Sequence, residues 1–355
     1  MPFFPLWLKA RGLDLQAIGY VLATPILMRI FAVPVFNRAV DRAGNLRGGL
    51  IAASFAGAAG FAIVGFAHGF VAILFAVAVA SLVSCPLNSL TDAYALNGLR
   101  ARKRAYGPVR LWGSAAFIAA NLGSGLLLAV IAADQLIWLI AAAFALLGVA
   151  ALWLQPLETA ATTETSRAPA EGHLWQSPRF FAIAAAAGLI QASHALYYGF
   201  SAVDWSAKGI GSTAIGMLWG LGVAVEIALF AVSGRLRLGP AALVAIGAAG
   251  AVIRWVAMTF DPPLALLVLI QCLHGLSFGA THLGAIQFIA RAAGDRRAAA
   301  AQGDLSTLLA IANAAATALS GLLYTTLGDH GYAVMAAMAA LGGACLVLAR
   351  PTPNS

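Results

Sequence analysis

Five charged side chains of this 355-residue sequence stand inside long apolar runs: Arg29, Asp92, Arg110, Glu226 and Arg254. Two histidines, His274 and His282, share a further run, "QCLHGLSFGATHLGAIQFIA". A charge at the centre of a bilayer costs roughly 2.5–3.5 kcal/mol on insertion scales, so such a residue faces a bundle interior or a watery cavity and is a functional candidate. The chemistry open to each type is narrow. An arginine keeps its charge and offers a planar fork to a carboxylate. A glutamate beside a histidine in low dielectric can trade a proton near neutral pH.

Spacing sorts these groups by depth. Glu226 is seven residues from Ser233, where its run ends, and His282 is seven from Ile289. At the rise of an α-helix both lie roughly 10 Å from the same side. Arg254, thirteen residues in from Ala241, and His274, fifteen from Ile289, lie roughly 20 Å deep. The expectation is two levels: Arg254 with His274 binding an anion, and Glu226 with His282 carrying a proton. The plainer alternative is that Glu226 only neutralises Arg254 or His282. Arg29 either reaches the anion from another side or holds Asp92. Asp92 and Arg110 lie near a basic loop and suit a gate or a packing pair. No His, Cys, Asp or Glu spacing suggests a metal, and no cofactor is implied.

Polar faces accompany the charges. At 100° per residue Gln271, His274, Phe278 and His282 fall within about 80°, which gives their helix one wet face. Gln191, His194, Tyr198, Ser201 and Trp205 share a face, and the aromatic and amide groups among them suit a ligand with a ring and a polar end; Trp205 alternatively belongs to an interfacial aromatic belt. Ser81, Ser84, Asn88, Thr91 and Asp92 line another face, open to a cavity or to a helix–helix hydrogen-bond seam. Arg110, Ser114, Asn121 and Ser124 repeat the pattern, as do Ser306, Asn313, Thr317 and Ser320.

The elements that position these residues are transmembrane helices. The composition is 61% hydrophobic and 10% charged, where soluble domains are roughly 25% charged. Eleven apolar runs can be marked, near Leu15–Phe36, Gly49–Ala67, Phe70–Leu96, Val109–Ile131, Leu136–Leu154, Phe180–Val203, Thr213–Ser233, Ala241–Phe260, Leu264–Ile289, Leu305–Leu327 and Tyr332–Ala349. In hydrocarbon every backbone group must be bonded within its own segment, so the runs are helices. The stub "MPFFPLWLK" is too short to cross and lacks the features of a signal peptide.

Charge orients the chain. Loops on one side, with the C-terminal tail, hold 15 of the 21 Lys and Arg, and the opposite loops hold Lys9, Arg11 and Lys208. The positive-inside rule makes the basic side and the C-terminus cytoplasmic, in the inner (cytoplasmic) membrane. The net charge of +8 is thereby a topology signal beside anionic lipid, and it calls for no nucleic-acid partner. The sequence divides at a Thr, Ala, Pro and Glu-rich stretch into 1–155, a cytoplasmic linker 156–178, and 179–355. Without HExxH, GxSxG or a P-loop, an enzyme is not expected and no residue is assigned a catalytic role.

The loop "NRAVDRAGNLR" resembles the loop motif of the major facilitator superfamily, matching at Asp41, Arg42 and Gly44. The segments "PLNSLTDAYAL", "YGPVRLWGS", "IQASHALYYGFSAVDWSAKGI", "LWGLGVAVEIALF", "VIRWVAM" and "LHGLSFGATHL" together resemble its 3-phenylpropionic acid transporter branch, near the lactose and nucleoside proton symporters. The resemblance implies an all-α polytopic membrane protein of two helical bundles, with 11 complete transmembrane helices and a remnant of the first. It also implies proton-coupled symport of a small aromatic monocarboxylate by alternating access, by a monomer. A proton-coupled nucleoside or sugar symporter, or a transport-inactive truncated relative, stays open. In the lactose-permease branch a Glu, an Arg and a His on these three successive helices handle proton and substrate. The candidate substrate residues are Arg29, Gln191, His194, Tyr198, Arg254, His274, Phe278 and Asn313. Glu226 and His282 are the candidates for proton coupling, and Asp41, Arg42, Asp92 and Arg110 for gating or structure.

Overall fold

A computed structural model describes residues 2–104, 107–157, 178–235, 238–292 and 294–348. The described residues are helical throughout, with no strand among them. Nine helical stretches among them are long and apolar enough to cross a membrane. The proposed linker lies almost wholly outside the described residues, as does the C-terminal tail. The chain forms two compact units: 3–117 with 130–167, and 118–129 with 168–355.

The first unit contains α1 (Phe4–Ala10), α2 (Leu15–Ala43), α3 (Leu46–Phe66), α4 (Phe70–Ser84), α5 (Leu87–Ala101), the first part of α6 (Gly107–Leu127), and α7 (Leu136–Leu152). The caps are legible residue by residue. The Ala17 N–H donates to Asp14 Oδ1 at 2.7 Å and starts α2, while the Gly48 N–H donates to Asn45 Oδ1 at 2.7 Å and starts α3. Gly44, at φ +61°, ends α2 in the left-handed conformation that glycine adopts without strain. The short α1 is tied down: Trp7 and Leu8 are buried, Trp7 Nε1 donates to the Asp134 carbonyl at 3.0 Å, and Arg11 donates to the Gly65 and Ala67 carbonyls at the end of α3. Helices α3 and α7 pack through small residues facing rings, Gly57 against Phe144 and Gly148 against Phe55.

The second unit contains α8 (Pro178–Ala192), α9 (Ala195–Ala207), α10 (Ser212–Val232), α11 (Pro240–Met258), α12 (Leu264–Cys272), α13 (Thr281–Ala292), α14 (Gly294–Leu327) and α15 (Gly331–Leu348). Close backbone approach, the rule where lipid supplies no hydrophobic drive between helices, is set by glycines. A Cβ on Gly247 would lie 2.0 Å from Thr281 Oγ1, and one on Gly342 would lie 2.9 Å from the Ala186 carbonyl oxygen. The α8–α9 stretch is the heart of this unit: 83% of its apolar window is buried, against 33% for the α10 stretch. At one end Lys208 forms ion pairs with Asp204 at 2.9 Å, Asp261 at 2.7 Å and Asp329 at 2.5 Å, joining the ends of α9, α11 and α14.

Three runs expected as continuous helices are interrupted. Cys85 and Pro86 separate α4 from α5, a turn at Ser193 and His194 separates α8 from α9, and Gly275–Ala280 is wound as a π-helical turn between α12 and α13. Proline lacks the N–H that would continue the first. The π turn holds more residues than the 3.6 of an α turn, so a wheel drawn at 100° per residue loses phase across it.

Candidate functional site

The two irregularities of the second unit meet. His194, at the α8–α9 break, lies T-shaped to His274 with centroids 5.6 Å apart, and His274 immediately precedes the π turn. Both are buried. Discontinuous membrane helices expose polar backbone and side chains only where protein or a cavity surrounds them.

Arg254 of α11 anchors the cluster. It has no exposed surface, and the plane of its guanidinium is held between Tyr197, 4.4 Å away, and Trp255, 4.6 Å away. Such cation–π contacts are worth about 2 kcal/mol when desolvated. Nη1 donates to His274 Nδ1 at 2.9 Å and to Ser277 Oγ at 3.5 Å. Nη2 donates to Gln271 Oε1 at 2.8 Å, which also accepts the Tyr197 hydroxyl at 2.9 Å. Nε has no partner among the described residues.

Because arginine has donors only, these bonds fix the protonation of their acceptors. His274 Nδ1 must accept, so its proton sits on Nε2 and the ring is neutral. That Nε2–H faces Glu226 Oε2 of α10 at 3.7 Å. His194 is fixed the same way. Its Nδ1–H donates to the Ile190 carbonyl at 3.0 Å, so Nε2 accepts from the Ser277 hydroxyl at 3.1 Å. Two neutral histidines therefore surround one buried cation, and one of them connects it to a carboxylate.

The sequence-predicted residues divide accordingly. His194, Tyr198, Arg254, His274 and Phe278 come together: Phe278 stacks on His274 at 5.3 Å, and Tyr198 lies 5.6 Å from both His194 and Trp219. Gln191 joins through its amide nitrogen, which donates to the Phe278 carbonyl at 3.5 Å. Asn313 donates its amide to Leu309 of its own helix at 2.8 Å. The expected two levels are revised. Glu226 stands beside His274, while His282 is exposed and neighbours the rings of Phe278 at 6.2 Å and Phe230 at 6.3 Å. The reason is the π turn, which breaks the constant phase and rise on which the depth reckoning rested. Tyr197, Ser277, Trp219 and Trp255 were not singled out from the sequence. The adjacent pair Arg254–Trp255 was the available signal, since a buried guanidinium needs aromatic faces or neutral acceptors.

In the first unit Arg29, Asp41, Arg42 and Asp92 are all exposed. Arg110 stands in the first turn of α6, and its side chain lies outside the described residues. Among the described residues no group of three His, Cys, Asp or Glu is placed to hold a metal.

Comparison with known proteins agrees with this architecture. The model of the MFS_1 like family matches residues 1–332. The "Probable 3-phenylpropionic acid transporter" of Escherichia coli (strain K12) is 32% identical, over 96% of this chain and 90% of its own length. The maltose permease of Geobacillus stearothermophilus is 25% identical, over 93% of this chain and 82% of its own. Crystal structures of the nucleoside transporter NupG and of a mutant of it share the fold, with TM-scores of 0.81 and 0.83 and 16% and 15% identity, covering 98% of this chain and 94% and 95% of theirs. These relatives and neighbours are transporters rather than enzymes. The chain belongs to the MFS_1 like family and is a multi-pass membrane protein with the all-helical major facilitator fold.

Proposed function

We propose that this transporter carries a small aromatic monocarboxylate, such as 3-phenylpropionate, together with a proton across the cytoplasmic membrane by alternating access. The observation that carries the reading is the chain Arg254–His274–Glu226, set among the rings of Tyr198, Trp219 and Phe278. The similarity to a 3-phenylpropionic acid transporter supports the choice of substrate. The bundles proposed for the motion are 1–155 and 179–355, with the C-terminus in the cytoplasm.

The coupling follows from charge. Ionised Glu226 offsets Arg254 through the neutral ring of His274. A proton taken up on the Glu226 carboxylate removes that offset, and the uncompensated guanidinium then favours an incoming carboxylate. In this surrounding the interaction between charges is far less screened than in water. Arg254 acts through His274, because its own surface is closed; His274, Tyr198 and Phe278 face the ligand. Asp41, Arg42, Asp92 and Arg110 are assigned to gating or structure, and Arg29 and Asn313 to the cavity wall. His282 belongs to the proton's route.

Proteoliposomes test this. An imposed pH gradient should drive accumulation of labelled 3-phenylpropionate, and Glu226→Gln, which mimics the protonated acid, should retain exchange of labelled for unlabelled substrate while losing gradient-driven accumulation. Full gradient-driven uptake in that variant would remove Glu226 from the proton's path. The second reading, a nucleoside or sugar symporter, is favoured by the maltose permease relative and the NupG fold; uptake of uridine or maltose in place of the carboxylate selects it.

A further inference from the structure

The first unit holds a cavity of about 980 Å³ that the proposed transport does not use. Its walls are apolar: Leu50 of α3, Leu99 of α5, Val109 of α6, and Leu147 and Leu154 of α7 and its end. Val109 and Leu147 are 43% and 40% exposed. Arg102 and Arg104 also line it, within the segment "RARKRAYGPVR", Arg100–Arg110, which contains five basic residues and no acid. Arg102 spends its guanidinium on neutral acceptors, the Gly98 carbonyl at 3.1 Å and Gln155 Oε1 at 2.9 Å. Arg102, Lys103 and Arg104 are exposed and form no ion pair among the described residues. The Tyr94 hydroxyl, also in the lining, donates to the Gln155 carbonyl at 2.7 Å and holds the same corner.

We infer that this groove binds an anionic glycerophospholipid of the leaflet on the basic side, one acyl chain lying against α3, α5 and α7 and the phosphate at Arg102 and Arg104. The volume is in the range of small-molecule sites, and the pattern is theirs too: apolar walls with a few polar groups at one end. Basic pockets between transmembrane helices are recognised by anionic headgroups, each Lys or Arg near the surface adding to the attraction. A free anion would satisfy the arginines and leave the apolar walls without a partner. A zwitterionic lipid would fill the walls and leave the cations uncompensated. Only a molecule with both parts answers both observations.

The experiment releases the full-length protein from nanodiscs of mixed phosphatidylcholine and phosphatidylglycerol and weighs the retained lipid by native mass spectrometry. Phosphatidylglycerol should be retained in preference. The double variant Arg102→Gln, Arg104→Gln should lower that preference about tenfold. Ala150→Trp, at an exposed position in the lining, should fill the groove and lower retention of either lipid. Inorganic phosphate added at excess should not displace the lipid. Equal retention of the two lipids, displacement by phosphate, or retention unchanged in both variants would each overturn the assignment. The two variants perturb different elements, so a folding defect in one leaves the other as the test.

Discussion

Arg254 and Arg29 are both arginines placed in apolar helices, one in each unit. Arg254 has no exposed surface and spends its charge on two ring faces and three neutral acceptors. Arg29 is exposed. The surroundings differ in the same sense, since 83% of the α8–α9 window is buried but only 33% of the α2 window. One unit folds around its charge, and the other folds first and displays its charges. Removing a charge should therefore change stability in the second unit and leave it nearly untouched in the first.

The largest expected effect is Arg254→Ala. It leaves His274 Nδ1 without a donor and opens a cavity between Tyr197 and Trp255, for a loss of about 3 kcal/mol. Arg29→Ala should stay within about 0.5 kcal/mol. Thermal unfolding of both variants in one detergent decides it, and equal shifts would dissolve the contrast. Arg254→Lys should not restore stability, because a point charge cannot bridge Gln271 and His274 as a planar fork does.

Next in size is packing. Gly247→Ala sets a Cβ 2.0 Å from Thr281 Oγ1 and 3.1 Å from its backbone nitrogen, which displaces the hydroxyl from its bond to the Ser277 carbonyl and costs about 1–3 kcal/mol. Gly98→Ala, in the first unit, meets nothing closer than 3.6 Å and should be near neutral. Unfolding in graded denaturant compares the pair directly.

The smallest effect concerns Lys208. Burial works against its charge, but its hydrogen bonds to Asp261, Asp329 and Asp204 outweigh burial and raise its pKa above the ordinary lysine value. A raised folded pKa means that the stabilisation is complete below the unfolded lysine value of about 10.4 and fades as the pH climbs through the folded one. Lys208→Gln should accordingly lose about 1 kcal/mol, by the same amount at pH 6 and pH 9, read from melting temperatures. A deficit confined to one end of that range would mean that the three aspartates, rather than the lysine, set the behaviour.

The helices and the cluster were legible in the sequence to different depths. Each of the eleven apolar runs falls on helix, because hydrocarbon leaves the backbone no other solution. The Asp14 and Asn45 caps show the usual N-cap residue types. The meeting of Arg254 with His274 followed from counting residues along two helices that are regular up to that depth. The pairing of Glu226 did not, because no local signal in "LHGLSFGATHL" announces that the helix widens by a residue there. Tyr197 was passed over for Tyr198 for a related reason: the break at His194 re-aims the residues beyond it, and the wheel that grouped Gln191, His194 and Tyr198 assumed no break.

The π turn at Gly275–Ala280 bears on how the length of this gene can vary. Its backbone stays bonded, as the Leu276 and Ser277 N–H groups both reach the Leu273 carbonyl, while holding a residue more than an α turn would. Loss of a single codon within those six would tighten the turn to α and keep the helix intact, yet rotate everything from Thr281 onward by roughly 100°. His282 would leave the side it shares with Phe278. A one-residue deletion here would thus produce a protein that still inserts and folds, with its polar face turned toward lipid.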